Sequence, residues 1–136
     1  MKICIIGSGY VGLVSGTCFS ELGNNVICVD NNKQKITNLK KGIIPIYEPG
    51  LEELIIKNVK QKRLNFSTDA NNSIKNSDII FICVGTPTSK KTNKANLKYV
   101  YKVVSDIKKN LNKYKIVVTK STVPVTTGDQ IEKILT

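Results

Sequence analysis

The chain has 136 residues and a mass of 15.0 kDa, the size of one domain and too short for a two-domain enzyme with a hinge. Hydrophobic residues make up 40% and charged residues 23%, which excludes wholesale disorder and fibrous repeats, and no apolar run approaches the roughly 18–20 residues that cross a bilayer. The net charge is +11, but Arg63 is the only arginine among 21 basic residues and the lysines are scattered, so nucleic-acid binding is not expected as the main function. Lys, Asn and Ile share A- and T-rich codons, a source of basicity unrelated to partners; the surplus positive charge still helps recruit anionic small ligands.

Lys2 to Ile6 is a short, β-branched apolar run, the pattern of a strand buried on both faces. It stops at Gly7-Ser8-Gly9. From Tyr10 to Leu22 the period becomes helical, with Val11, Val14, Cys18 and Leu22 as the expected buried stripe, and Gly23-Asn24-Asn25 ends the helix. Val26 to Val29 is a second buried strand that ends at Asp30. Lys33 to Leu39 reads as a helix, Gly42 to Gly50 with its two prolines as a loop, and Leu51 to Val59 as a further helix.

Arg63 to Ser67 predicts a short strand and Ala70 to Lys75 a helical turn. Asp78 to Val84 is a strong strand, halted by Gly85-Thr86-Pro87-Thr88, and the lysine-rich stretch from Ser89 to Asn96 is a solvated loop. Leu97 to Leu111 carries a helical stripe of Val100, Val103, Val104 and Ile107. Ile116 to Thr119 is the last strand, followed by Lys120-Ser121-Thr122-Val123-Pro124 and a helix from Thr127 to Leu135. Strands alternating with helices predict an α/β domain with a doubly wound parallel sheet of Rossmann type over residues 1–136. The chain stops within that helix, which leads us to expect a fragment or an isolated domain of something longer.

Cys4, Cys18, Cys28 and Cys83 form no C-x-x-C pair, and histidine is absent. All four are expected to be small buried hydrophobes in a reducing cytoplasm, and no metal site is expected.

Gly7-Ser8-Gly9-Tyr10-Val11-Gly12 is a G-x-G-x-x-G motif placed where a strand turns into a helix. In that setting Gly7 permits the tight turn, Gly9 lets a pyrophosphate approach the backbone, and Gly12 lets helix and strand pack closely. The helix start then attracts the anion. Asp30 lies 18 residues beyond Gly12, at the place of a carboxylate that accepts from the adenosine ribose hydroxyls and repels a 2′-phosphate, which favours NAD over NADP. The alternatives are an ordinary strand-to-helix turn with a solvated strand end, or FAD, which uses a similar fingerprint in larger chains.

Further segments agree with a known family in order and spacing. Lys2 to Gly16, Pro45-Ile46-Tyr47-Glu48-Pro49-Gly50-Leu51, Val84-Gly85-Thr86-Pro87-Thr88 and Lys120-Ser121-Thr122-Val123-Pro124-Val125 together resemble the amino-terminal, NAD-binding part of the UDP-glucose/GDP-mannose dehydrogenases. Tyr10-Val11-Gly12-Leu13 followed by Val14-Ser15-Gly16 is more similar to the UDP-glucose 6-dehydrogenase branch than to the GDP-mannose or UDP-N-acetylmannosamine branches.

The resemblance implies a cytoplasmic oxidoreductase of nucleotide-sugar metabolism and polysaccharide biosynthesis. It oxidises the C6 alcohol of UDP-glucose to a carboxylate with two NAD, holding the aldehyde stage on a cysteine. That nucleophile and its partners belong to substrate domains absent from this chain, so the chain alone is expected to be inactive, and the longer protein to be a homo-oligomer. The alternatives are another nucleotide-sugar 6-dehydrogenase, acting on GDP-mannose or UDP-N-acetylmannosamine, and a non-catalytic nucleotide-binding module.

Carried over by position, Tyr10 and Val11 lie by the pyrophosphate, Asp30 holds the ribose, and Lys35 is a basic residue beside it. Thr86 contacts the cofactor, and Thr122 lies on the nicotinamide side and helps position the hydrolytic water. Without the resemblance, Lys35 reads as one lysine among many, Thr86 as a turn residue before Pro87, and Thr122 as a helix-entry cap. The loop around Tyr47 and Glu48 is assigned no catalytic role. Thr126 stands where the family has glycine, a strained substitution if that position requires a positive φ.

Overall fold

The computed structural model describes residues 1–136 in full. Five strands form one sheet: β1 (Lys2–Ile6), β2 (Asn25–Val29), β3 (Leu64–Ser67), β4 (Ile79–Ile82) and β5 (Ile116–Thr119). Their order is β3-β2-β1-β4-β5 and every neighbouring pair is parallel. The helices between them are α1 (Tyr10–Glu21), α2 (Lys33–Lys40), α3 (Leu51–Lys60), α4 (Ala70–Lys75), α5 (Lys98–Lys109) and α6 (Thr127–Leu135). The doubly wound parallel sheet read from the alternation of elements is therefore what the chain adopts.

Side chains alternate across a strand, so β1 feeds two cores. Ile3 and Ile5 join Leu13 of α1, Ile36 and Leu39 of α2, and Leu51 and Ile55 of α3. Cys4 and Ile6 join Ile74 of α4, Val100, Val103, Val104 and Ile107 of α5, and Ile131 of α6. The stripe expected on α5 is thus wholly buried.

The stripe expected on α1 is not. Val11, Cys18 and Leu22 are exposed, Leu22 lies beyond the helix end, and only Val14 is partly covered. The buried face is Gly12, Leu13, Gly16, Thr17 and Ser20. The reason is closeness of approach: a Cβ on Gly16 would stand 2.7 Å from the Cys28 Sγ, so Leu13 is the one large apolar residue on that face and small residues flank it. The hydroxyls on that face are satisfied within the helix, Thr17 Oγ1 donating to the Leu13 carbonyl at 2.7 Å and Ser20 Oγ to that of Thr17 at 2.8 Å. Cys18 accordingly departs from the expected burial, while Cys4, Cys28 and Cys83 are buried as expected. Burial pushes the Cys4 thiol up to about 12 and that of Cys83 up to about 11.

Two readings near the chain's second half are also corrected. Asp78 precedes β4 rather than opening it; its carboxylate accepts from the Lys2 amide at 3.1 Å and pairs with Lys113 at 2.8 Å, tying the entry edge of the sheet. Thr126 has φ −83°, an ordinary helical value, so replacing glycine there strains nothing.

Candidate functional site

Register sets the site. Ile6 pairs with Val29 and with Ile82, and Ile82 pairs with Thr119. Gly7, Asp30, Cys83 and Lys120 therefore leave the sheet at one level, along its carboxyl edge. The chain order reverses between β1 and β4, the switch point where open α/β sheets take ligands.

Gly7 makes the turn with φ +104°, and a Cβ there would lie 2.5 Å from the Cys83 carbonyl oxygen. Its amide donates to the Val29 carbonyl at 2.8 Å, which ties the turn to β2. Gly12 is closed in as well: a Cβ would fall 1.8 Å from the Gly7 oxygen. Gly9 differs, because an added Cβ would meet nothing within 4 Å. The space above Gly9 is open, at the first turn of α1. No side chain caps that turn and no acidic residue stands in it. Its orphan N–H groups and the helix dipole favour an anion.

Asp30 sits beside the turn, its side chain 14% exposed. Its Oδ2 accepts from the Ser8 amide at 3.1 Å and the Ser8 hydroxyl at 2.8 Å, and its Oδ1 accepts from the Asn32 amide at 3.0 Å. Lys35 Nζ stands 3.7 Å from Oδ2. Burial pushes the carboxyl up, but the amides of Asn32 and Ser8, the Ser8 hydroxyl and the Lys35 charge outweigh it, and the group stays below the ordinary carboxylate value. Asp30 is thus an ionised acceptor beside an anion-binding turn. Asn32 also caps α2 by accepting from the Lys35 amide at 3.1 Å, which fixes the start of the helix that carries Lys35.

Thr86 and Thr122 follow neighbouring strands β4 and β5 on the other side of the switch point. Ser121 joins the two exits, its hydroxyl donating to the Val84 carbonyl at 2.7 Å. Thr122 is exposed and caps no helix, since α6 begins at Thr127 behind Thr126. The structure thus brings Gly7, Gly9, Gly12, Asp30 and Lys35 into one cluster and holds Thr86 and Thr122 at the same edge beyond it. Tyr10 and Val11 open α1 with exposed side chains.

Two side-chain contacts at this edge were not marked by the sequence. Ser8 is fully buried, and its hydroxyl is bound to Asp30. Glu48 accepts from the Tyr10 hydroxyl at 2.7 Å, fastening the loop over residues 42–50 to the start of α1. That bond, and the Glu48 charge, raise the Tyr10 phenol above its ordinary value. In a G-x-G-x-x-G motif both Ser8 and Tyr10 stand at unrestricted positions, so the pattern carries no signal for either contact. A recess of about 870 Å³ inside the same loop is lined by Glu48, Glu52 and Glu53, carboxylates that disfavour a pyrophosphate.

Residues 1–136 match the model of the UDP-glucose/GDP-mannose dehydrogenase family, NAD binding domain. The chain belongs to that family. It is 53% identical over 135 residues to a UDP-glucose 6-dehydrogenase of Rhizobium meliloti, covering 99% of this chain and 31% of that protein. The UDP-glucose 6-dehydrogenase TuaD of Bacillus subtilis is 55% identical over 134 residues, 98% of this chain and 29% of its own. Among solved structures, a ternary complex of GDP-mannose dehydrogenase from Pseudomonas aeruginosa superposes with a TM-score of 0.93 at 38% identity, covering 99% of this chain and 31% of that one. This NAD-binding domain thus spans about a third of the length of the dehydrogenases it matches. No helix in it is long and apolar enough to cross a membrane.

The residues present fit the dinucleotide. The room above Gly9 admits a pyrophosphate, the uncapped α1 start attracts it, and the ionised Asp30 accepts from a ribose hydroxyl.

Proposed function

We propose that this chain serves as the NAD-binding domain of a UDP-glucose 6-dehydrogenase, within a longer protein whose substrate domains lie outside residues 1–136. The relatives at 53% and 55% identity are UDP-glucose 6-dehydrogenases, against 38% for the GDP-mannose enzyme, and this favours UDP-glucose as the sugar nucleotide. The longer enzyme would convert UDP-glucose to UDP-glucuronate, with NAD as the hydride acceptor in two successive oxidations.

In this reading the backbone of Gly7, Gly9, Tyr10, Val11 and Gly12 lines the pyrophosphate. Asp30 accepts from the adenosine ribose, with Lys35 beside it. Thr86 and Thr122, at the exits of β4 and β5, lie towards the nicotinamide, and Thr122 orients the hydrolytic water. The nucleophilic cysteine belongs to the substrate domains: Cys4, Cys28 and Cys83 are buried, and Cys18 faces solvent on α1. The observation that carries the reading is the open, uncapped turn at Gly9 with an ionised Asp30 beside it.

Calorimetry on residues 1–136 tests it. NAD should bind, and Asp30→Ala should weaken binding by about 1–3 kcal/mol, the scale of a charge-assisted hydrogen bond. An unchanged dissociation constant rejects the role given to Asp30. Addition of UDP-glucose should produce no NADH; turnover would show that the catalytic groups are already in this chain.

A further inference from the structure

Ser8 occupies a position that the glycine fingerprint leaves free, yet it is fully buried and its hydroxyl has one partner, the Asp30 Oδ2, at 2.8 Å. The Ser8 amide donates to the same oxygen at 3.1 Å. A carboxylate offers about four acceptor positions, two on each oxygen. Both positions on Oδ2 are therefore filled, with Lys35 Nζ adding charge at 3.7 Å. Oδ1 accepts only from the Asn32 amide, at 3.0 Å, and keeps one position free.

We propose that Ser8 is a positioning residue for NAD: its hydroxyl locks Asp30 so that Oδ1 presents its free acceptor position to the adenosine ribose. This rests on the NAD-binding reading above. Ser8 belongs to the turn that meets the pyrophosphate, and Asp30 to the strand end that meets the ribose. The bond between them crosses from β1 to β2, so the two recognition groups are held at a fixed separation before the dinucleotide arrives. Preorganised acceptors lose less rotamer freedom on binding, which is where the gain in affinity lies.

The test is a mutant cycle read by calorimetry on residues 1–136, with NAD and its adenosine-ribose 2′,3′-dideoxy analogue as ligands. Ser8→Ala should weaken NAD roughly fivefold, the scale of one hydrogen bond, while thermal unfolding still shows a folded domain. In an Asp30→Ala background the same change should have no further effect on NAD. Neither background should show a Ser8 effect with the dideoxy analogue. An equal loss for NAD and the analogue would mean that Ser8 merely shapes the turn, and would overturn the proposal. So would unchanged NAD binding by Ser8→Ala, which would show that the hydroxyl has no positioning effect, or tighter binding, which would show that the serine competes with the ribose. Absence of NAD binding by the unaltered chain would instead overturn the NAD reading, and the proposal with it.

Discussion

A methyl group placed on Gly12 would sit 1.8 Å from the Gly7 carbonyl oxygen, a backbone atom that cannot step aside without opening the turn. Gly12→Ala is therefore expected to destabilise the domain by about 3 kcal/mol or more, read as a shift in the denaturant midpoint. Gly9 has room for the same methyl and φ −73°, which alanine adopts freely. Gly9→Ala should leave stability within about 0.5 kcal/mol and still weaken NAD by about tenfold or more, because the added carbon fills the space meant for the pyrophosphate. If Gly9→Ala unfolds the chain or binds NAD normally, the separation of roles at the turn is wrong. The glycine pattern shows that both positions matter and gives the same letter for each. Their different reasons, packing for one and ligand room for the other, depend on where the folded turn and β1 put their atoms: the Gly7 carbonyl and the Ile5 side chain crowd Gly12, and nothing stands over Gly9.

At the level of elements, α1 shows where periodicity misleads. Large apolar residues recur at helical spacing through Val11, Val14 and Cys18, but the helix lies too near β2 for them, and Gly16 and Thr17 face the sheet instead. The close approach delivers the α1 start to the carboxyl edge. The loop over residues 42–50 is fastened there by the Tyr10 hydroxyl on Glu48. Tyr10→Phe should speed amide hydrogen exchange of Ile43, Ile44, Ile46 and Tyr47 several-fold and leave the exchange of β1 unchanged. Equal exchange in both proteins would show that the bond does not hold the loop. The helices α2, α3 and α5 were legible because their stripes are apolar and meet ordinary aliphatic neighbours. Asp78 was read into β4 because a charged residue next to an apolar run carries no mark of its partners, which are Lys2 and Lys113.

For the molecule as a whole, pH dependence follows from groups at both ends of the scale. Asp30, Glu21 and Asp78 are all held below their ordinary values in the folded chain; Glu21 is held mainly by hydrogen bonds from Lys57 and Asn58, and Asp78 by its bonds from Lys113 and Lys2. The unfolded chain then binds more protons, so their stabilisation is present at neutral pH and is lost as pH falls below about 5. On the alkaline side Cys4, Cys28 and Cys83 are raised by burial, and ionise more readily once unfolded. Their contribution is present below the ordinary thiol value of 9.0 and is lost as pH rises through it towards about 11–12. Denaturant midpoints should accordingly form a plateau between about pH 5 and 8 and fall on both sides. A midpoint that rises steadily beyond pH 9 would contradict the burial of the three thiols.

The alternation of strands and helices, the parallel sheet, the glycine turn and the acid at the end of β2 were all determined by the sequence itself. Each depends on residues close together along the chain: a two- or 3.6-residue period, a turn that only glycine can make, a carboxylate where an apolar run stops. Tertiary structure alone decided which face of α1 is buried, the order β3-β2-β1-β4-β5, the hold of Ser8 on Asp30 and that of Glu48 on Tyr10. These depend on distances between segments that are 22 or 38 residues apart for the two hydrogen bonds, and such distances are set by how the elements pack. A local pattern carries no measure of that separation.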